Sequence, residues 1–137
     1  MTKQWEIVLP PMGRGFHLID EHIDPVIDLT GVRAGILHIF IKHTSAAIMV
    51  NENYDPSVRM DLESAFDRLA PENQPYYTHT LEGPDDMPAH IKAAMIGSHI
   101  SIPVTNGKLN LGTWQGIYLC EFRNTPHKRK LVLTLIY

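Results

Sequence analysis

Histidine and carboxylate side chains that could bind a cation or transfer a proton cluster in the segment His79–His90, HTLEGPDDMPAH. Asp86 and His90 are four residues apart at the start of a predicted helix, and this spacing places Cβ atoms about 5–6 Å apart on one helix face. A carboxylate there can hold an imidazole in one tautomer or share a cation with it. The alternative is structural, with Asp86 as the helix N-cap and His90 as an exposed helical residue. His79 lies in the preceding loop, where it is free to fold back toward His90.

A second polar cluster, His43-Thr44-Ser45, follows a predicted strand of β-branched and aromatic residues. Strand parity places His43 on the apolar face, which puts its ring at the edge of the predicted core. Thr44 and Ser45 are candidates to donate hydrogen bonds to a phosphate-like group, and Asn53 is a third candidate for substrate binding. Each has a structural alternative: a lone histidine is often satisfied by a backbone carbonyl, hydroxyls are common at strand ends, and asparagine favours turns.

The third polar cluster lies in the segment Gly112–Arg123, GTWQGIYLCEFR. Strand alternation places Glu121 on an apolar face, where a carboxylate needs an arginine, a histidine or a metal ion as its partner. A structural ion pair is therefore the alternative to a catalytic role for Glu121. Gln115 precedes the strand and Arg123 follows it, and both are candidates for substrate binding. Arg123 or Arg129 could supply a phosphate contact.

The length of 137 residues predicts one domain, residues 1–137, because it is near the commonest domain size of roughly 100–150 residues. A net charge of −3 leaves no broad basic surface for nucleic acid. The cluster His127–Lys130 is expected to cap the entry to the last strand, with contact to phosphate or nucleic acid as the alternative. No segment approaches the ~20 apolar residues of a membrane span, and the N-terminus lacks a signal peptide, so we expect a cytoplasmic protein. The single cysteine, Cys120, has no basic neighbour and is predicted to be a buried, unreactive thiol.

Alternating hydrophobicity and turn signals predict about seven strands. The strands are residues 4–9, 15–20, 36–41, 46–50, 100–104, 117–122 and 131–137, with Leu109 and Leu111 rejoining a sheet after an Asn106-Gly107 turn. The first strand is expected to stop at Pro10-Pro11. Consecutive strands with short turns favour antiparallel pairing, so the predicted fold class is α+β, with a largely antiparallel sheet and two or three helices packed on it.

The helices are predicted over residues 21–30, 56–70 and 87–96. In the first, Pro25 is tolerated only within the first turn. In the second, Asp55 is the N-cap and Pro56 the first helical residue. The buried stripe expected for the third helix consists of Ile91, Ala94 and Met95.

No known catalytic fingerprint accompanies these clusters. The chain has no phosphate-binding loop, no GxGxxG, HExxH or GxSxG motif, and no paired-cysteine metal site. From the residues alone, the prediction is a His/carboxylate pocket without an assigned reaction.

Taken together, the three clusters resemble the YjbQ family, which is also called the secondary thiamine-phosphate synthase family. The matching residues follow the family's order and spacing over nearly the whole chain: His43-Thr44-Ser45, Asn51-Glu52-Asn53, Asp55-Pro56, His79, Glu82-Gly83, Asp86, His90, Gly112-Thr113-Trp114-Gln115 and Glu121. The resemblance implies a compact α+β fold and a homotrimer with pockets near the subunit contacts. It also implies a weak activity that joins an aminomethylpyrimidine diphosphate to a thiazole phosphate and releases pyrophosphate.

The resemblance further implies roles for individual residues. His43, Asp86, His90 and Glu121 would be catalytic, with Asp86 orienting His90, and the expected substrate is a small phosphorylated metabolite. His43, His79 and His90 suit a transition metal such as Zn²⁺, whereas the carboxylates suit Mg²⁺. One alternative is a non-catalytic trimer that binds a metal or a phosphorylated metabolite. Another is a structural trimer in which the histidines and Glu121 only pair with one another.

Overall fold

Two antiparallel β-sheets and a layer of helices are stacked in the computed structural model, which describes all 137 residues. The strands are β1 Thr2–Met12, β2 Gly15–Leu18, β3 Ala34–Ile41, β4 Ala46–Glu52, β5 His99–Thr105, β6 Lys108–Leu109, β7 Gln115–Glu121 and β8 His127–Ile136. The helices are α1 Asp20–Ile23, α2 Pro56–Leu69 and α3 Asp86–Ile96. The five-stranded sheet has the order β1-β8-β3-β5-β6, and the three-stranded sheet has the order β2-β7-β4. The predicted α+β class is confirmed, with eight strands instead of about seven.

The larger core lies between the two sheets, because period-two alternation collects apolar side chains on one face of each strand. Strands β3, β5 and β8 supply one side of this core, and β4 and β7 supply the other. Its buried members on these strands are Leu37, Ile39, Ile41, Ile102, Val104, Leu131, Leu133, Leu135, Ala46, Ile48, Ile117 and Leu119.

The opposite face of the three-stranded sheet packs against α2 and α3. This second core contains Phe16, Ala47, Ala89, Tyr118, Cys120 and Phe122, joined by Leu62, Phe66, Ala93 and Ile96. Burial raises the pKa of the Cys120 thiol, which fits the predicted unreactive cysteine. Because α3 packs on β4, its first turns lie beside the segment that leads into β4, where the candidate residues of the site meet.

The first strand does not stop at Pro10-Pro11, contrary to the prediction. β1 continues to Met12, and its pairing register with β8 shifts between Leu9 and Met12. β1 is an edge strand, where a bulge can accommodate prolines that have no N–H to donate.

The predicted helix over residues 21–30 is also wrong, because α1 ends at Ile23. The helix begins at Asp20, so Pro25 would fall beyond its first turn, where proline clashes with the preceding turn and lacks the N–H that a helix needs. The chain turns at residues 24–26 instead.

Helix α3 buries a different face from the predicted one. Ala94 and Met95 are exposed. The apolar residues on its buried side are Ala89, Ala93 and Ile96. Lys92 shares this side, with its stem covered and its Nζ 2.7 Å from Asp67 Oδ1 of α2. A lysine at a buried position interrupted the apolar pattern, so the sequence indicated the wrong stripe.

Two local predictions are confirmed. Asn106 and Gly107 have φ values of 49° and 77° and join β5 to β6, as an Asn-Gly hairpin turn requires. Asp55 accepts a hydrogen bond of 2.9 Å from the Ser57 N–H and caps α2, whose first residue is Pro56. None of the helices has the length and apolar character needed to cross a membrane.

Candidate functional site

His79, Asp86 and His90 meet where the chain enters α3. Asp86 Oδ2 lies 2.7 Å from His79 Nε2 and 3.1 Å from His90 Nε2. One ligand atom from each residue lies within 4.8 Å of the other two. His79 therefore folds back from its loop, and Asp86 is not the N-cap, since Asp85 occupies that position. We call His79, Asp86 and His90 the His/Asp cluster.

The contacts of His90 with an ionised Asp86 and with Thr44 favour a positive charge between the ring and the carboxylate. His90 Nδ1 lies 2.8 Å from the Thr44 carbonyl oxygen, which can only accept a hydrogen bond. A neutral imidazole has one N–H, so either tautomer would direct a lone pair at an oxygen. Both contacts become favourable when His90 is doubly protonated or when a cation lies between Nε2 and Asp86 Oδ2. Metal-ligating histidines usually donate their other N–H to a carbonyl or carboxylate in this way.

The cluster fits a first-row transition ion. Zn–N bonds of about 2.0–2.1 Å in a tetrahedral site separate neighbouring ligand atoms by roughly 3.3 Å. The distances of 2.7 and 3.1 Å from Asp86 Oδ2 to the two imidazole nitrogens are close to this value. Two imidazoles and one carboxylate suit Zn²⁺ or a similar ion better than Mg²⁺, which prefers oxygen ligands. Of the three predicted metal ligands, the structure brings together His79 and His90, and Asp86 takes the position expected for His43.

Asp86 is ionised although its side chain is only 2% exposed. Burial by itself raises the pKa of this carboxyl. The hydrogen bond from His79 and the charges of His90 and Arg123 outweigh burial and hold the pKa below its usual range. A carboxylate must be deprotonated to ligate a metal, so this environment keeps Asp86 in the form that binds.

Two clefts contact the His/Asp cluster. The His90 cleft has a volume of about 660 Å³ and is lined by His43, Thr44, Ala46, His90, Ala93, Ala94, Gly97 and Ser98. The His79 cleft has a volume of about 240 Å³ and is lined by Asn73, Gln74, Tyr77, His79, Thr80, Gly83, Pro84 and Met87. Neither lining includes a lysine or an arginine. A small molecule in either cleft would therefore contact one histidine of the cluster and mainly neutral groups.

His43 faces the same cleft as His90 but is not positioned to ligate with it. The Lys130 N–H donates to His43 Nε2 at 2.8 Å, so Nδ1 carries the proton of the neutral ring. Burial and the nearby charge of Arg129 lower the pKa of His43, although Glu121 opposes this shift. The ring is therefore neutral at neutral pH.

This lowered pKa predicts that mild acid destabilises the fold. The unfolded chain protonates His43 near its ordinary pKa of 6.5, whereas the folded chain resists protonation until a lower pH. We expect the melting temperature to fall as the pH decreases below about 6.5. His43→Gln can still accept from the Lys130 N–H and does not titrate, so it should lose less stability over the same interval. An identical pH dependence in both proteins would contradict this assignment.

Comparison with known proteins identifies related chains and structures. A family model described as UPF0047 protein YjbQ-like matches residues 6–137. The UPF0047 protein YjbQ of Salmonella typhimurium is 47% identical over 136 residues, which cover 98% of each chain. The UPF0047 protein sll1880 of Synechocystis sp. is 42% identical over 127 residues, which cover 93% of this chain and 86% of that protein. The crystal structure of an uncharacterised YjbQ/UPF0047 family protein from Clostridium acetobutylicum is 39% identical, with a TM-score of 0.85 over 96% of this chain and 99% of that chain.

This chain belongs to the UPF0047 (YjbQ-like) family. The resemblance drawn from the three polar clusters is thereby confirmed.

In this UPF0047 protein, Glu121 is not part of the His/Asp cluster and forms a buried ion pair with Arg129. Arg129 Nε donates to Glu121 Oε2 at 2.6 Å, and Arg129 Nη2 donates to Glu121 Oε1 and, at 3.0 Å, to Ser45 Oγ. Neither side chain is more than 4% exposed. The Ser45 hydroxyl thus points toward Arg129, and neither Ser45 nor Glu121 lines a cleft.

The importance of Arg129 could have been found from the sequence. Arg129 alternates with Leu131 and Leu133, so it shares their inward face, just as Glu121 shares an inward face on β7. The sequence predicts that the cluster His127–Lys130 precedes the last strand. This prediction is wrong, because the cluster forms the start of β8 itself.

Asn53 and Gln115 are not close to the His/Asp cluster in this UPF0047 protein. Asn53 Nδ2 donates to the Gln115 carbonyl oxygen at 3.1 Å, at the end of β4 where Glu52 pairs with Gln115. The other end of β4, where Ala46 pairs with Glu121, is six strand steps away, or roughly 20 Å. The structure therefore separates these two candidates for substrate binding from Thr44 and the histidines.

Proposed function

We propose that this protein is a metal-dependent enzyme for a small phosphorylated metabolite, with His79, Asp86 and His90 as the metal ligands. The observation that carries the proposal is the convergence of two imidazole nitrogens and one carboxylate oxygen within 4.8 Å, with His79 in the wall of one cleft and His90 in the wall of the other. The contacts of His90 with Thr44 and Asp86 add support, because a neutral His90 satisfies both only with a cation beside Nε2. The donor set favours Zn²⁺ or a similar first-row ion.

The reaction we propose is the secondary thiamine-phosphate synthase reaction that the family resemblance implies. The ring nitrogen of a thiazole phosphate attacks the methylene carbon of an aminomethylpyrimidine diphosphate. A C–N bond forms, the C–O bond to the diphosphate breaks, and the diphosphate leaves with the bonding electrons. Two substrates need two adjacent sites, and the two clefts that share the His/Asp cluster meet this requirement. A divalent ion at the cluster would neutralise charge on the leaving diphosphate.

Side chains of the His90 cleft would assist this step by donating hydrogen bonds. His43 carries its ring proton on Nδ1, because Nε2 accepts from Lys130, and the exposed Thr44 offers a hydroxyl in the same cleft. Both groups can donate to a phosphate oxygen without being charged. Since no lysine or arginine lines either cleft, neutralisation of the diphosphate depends on the bound ion.

Elemental analysis of the untagged protein tests the metal ligands. We expect about one transition-metal atom per chain in the wild type and its loss in His90→Ala, with little change in folding. His99→Ala is the control, because His99 is an exposed histidine of β5 outside the cluster, and it should retain the metal. Absence of metal from wild-type protein reconstituted with Zn²⁺ would refute the metal site.

Thiamine-phosphate formation tests the reaction. We expect product from metal-loaded wild type and His99→Ala, and at least about 100-fold less from His90→Ala, because the charge of the leaving diphosphate is no longer neutralised. Metal binding with no product under any metal condition would reject the enzyme. It would leave the alternative, a non-catalytic protein that binds a metal or a phosphorylated metabolite.

We also propose that the protein assembles as a homotrimer, as the family resemblance implies. Ile36, Phe40 and Ile136 expose apolar side chains on the outer face of the five-stranded sheet, and a subunit contact would cover them. Light scattering coupled to gel filtration should give three times the mass of the 15.5 kDa chain. A monomer at micromolar concentration would reject the trimer.

A further inference from the structure

Arg123 contacts the His/Asp cluster through the oxygen of Asp86 that faces neither histidine. Arg123 Nη1 donates to Asp86 Oδ1 at 2.9 Å, while Oδ2 faces His79 Nε2 and His90 Nε2. Asp86 Oδ1 therefore contacts the Arg123 guanidinium, and Asp86 Oδ2 faces the position of the proposed metal ion.

The orientation of Arg123 is set by three further hydrogen bonds. Its Nε donates to Asp85 Oδ2 at 2.9 Å and its Nη2 donates to the Glu82 carbonyl oxygen at 3.1 Å. Its backbone N–H donates to Glu121 Oε1 at 3.1 Å, which connects it to the buried ion pair on β7 and β8. Arg123 lines neither cleft, so its guanidinium is directed at the back of the cluster and not at a bound phosphate.

We propose that Arg123 is a positioning residue for the metal site, which makes Asp86 ligate through Oδ2 alone and so keeps a coordination position open for substrate. This inference rests on the proposed metal-dependent function. A carboxylate without such a partner can rotate or bind an ion through both oxygens, which would occupy the position that a catalytic ion needs for its substrate. Hydrogen-bond partners of ligands commonly have this orienting role.

Charge and positioning predict opposite results when Arg123 is replaced. A guanidinium close to a cation repels it, so removing the positive charge by itself should strengthen metal binding. Loss of an orienting partner instead weakens metal binding, typically by about 10–100-fold. The direction of the change in affinity therefore distinguishes the two roles.

Titration with Co²⁺ followed by its visible absorption tests the inference on the full chain. We expect Arg123→Gln to bind Co²⁺ about 10–100-fold more weakly than wild type. Its bound Co²⁺ should also absorb less strongly, because a carboxylate that binds through both oxygens raises the coordination number. Arg123→Lys keeps the charge but cannot reach Asp85 and Asp86 together, so it should also bind more weakly. Arg14→Gln is the matched control and should bind like wild type, because this partly buried arginine pairs with Glu63 and Asp67 and contacts no cluster residue.

Several outcomes would overturn the inference. Equal or tighter Co²⁺ binding by Arg123→Gln would show that Arg123 does not position Asp86. Full affinity in Arg123→Lys would show that the paired contacts of the guanidinium with Asp85 and Asp86 are not needed to orient Asp86, and equal weakening in Arg14→Gln would assign the effect to general destabilisation. If Arg123→Gln fails to fold, Arg123→Lys carries the test: weaker Co²⁺ binding than wild type supports the inference, and full affinity overturns it. Failure of wild type to bind Co²⁺ would instead reject the proposed function, whereas wild-type binding without an Arg123 effect rejects only the positioning role.

Discussion

Glu121→Ala is expected to lower the free energy of unfolding by about 3–5 kcal/mol, because it leaves the Arg129 guanidinium charged and buried without its carboxylate. The pair is almost completely buried, with side-chain exposures of 0% for Glu121 and 4% for Arg129. Ser45 Oγ, at 3.0 Å from Arg129, would be the main remaining acceptor, and a hydroxyl cannot replace an ionised partner. Urea unfolding of the two proteins at neutral pH measures the difference.

The double variant Glu121→Leu/Arg129→Met is the control for this prediction. Replacing a buried ion pair by apolar side chains of similar volume is often neutral or stabilising, so most of the lost stability should return. Recovery of stability and of metal binding without recovery of product formation would support a catalytic role for Glu121. Recovery of stability, metal binding and product formation together would show that Glu121 has only a structural role. A loss below about 1 kcal/mol in Glu121→Ala would contradict the buried pair, since exposed pairs contribute this little.

Asp86→Asn is expected to abolish the stabilisation that a bound metal gives the fold. At a free metal concentration of about 100 times the dissociation constant, binding to the folded state alone adds about 2.7 kcal/mol. For a chain of this length, this corresponds to an increase in melting temperature of roughly 8 °C in the wild type. The amide keeps the shape of the side chain but cannot supply the anionic oxygen between His79 and His90, so Zn²⁺ should produce no increase in the variant. Thermal unfolding with and without Zn²⁺ measures both shifts.

Asp85→Asn is the matched control, because Asp85 is the neighbouring buried carboxylate but does not face the histidines. It accepts from Arg123 Nε and from the Asn124 N–H, both at 2.9 Å. This variant should lose stability without metal and keep a clear increase in melting temperature at saturating Zn²⁺. A wild-type increase that survives in Asp86→Asn would place the metal elsewhere.

Features that depend on neighbours along the chain were predictable from the sequence. Alternation identified β3, β7 and β8 and the inward position of Glu121, and Asn106-Gly107 identified the hairpin. Asp55 identified the start of α2. Helical spacing was sufficient to pair Asp86 with His90, because residues four apart meet whatever surrounds the helix. Local patterns gave wrong predictions where a residue type occupies a position that it rarely takes. Prolines lie within the edge strand β1, and a lysine lies on the buried side of α3.

The composition of the site was decided by the tertiary structure. The contact of His90 with Thr44 joins residues 46 positions apart, and the pairing of Arg129 with Ser45 joins residues 84 positions apart. Such contacts depend on the order of strands in two sheets and on which sheet face receives the helices, and no local pattern encodes either. For the same reason Asn53 and Gln115, which the sequence grouped with the site, lie at the far end of the three-stranded sheet. The sequence alone determined the residue types and the α+β class, and the stacking of the layers determined which polar residues face one another.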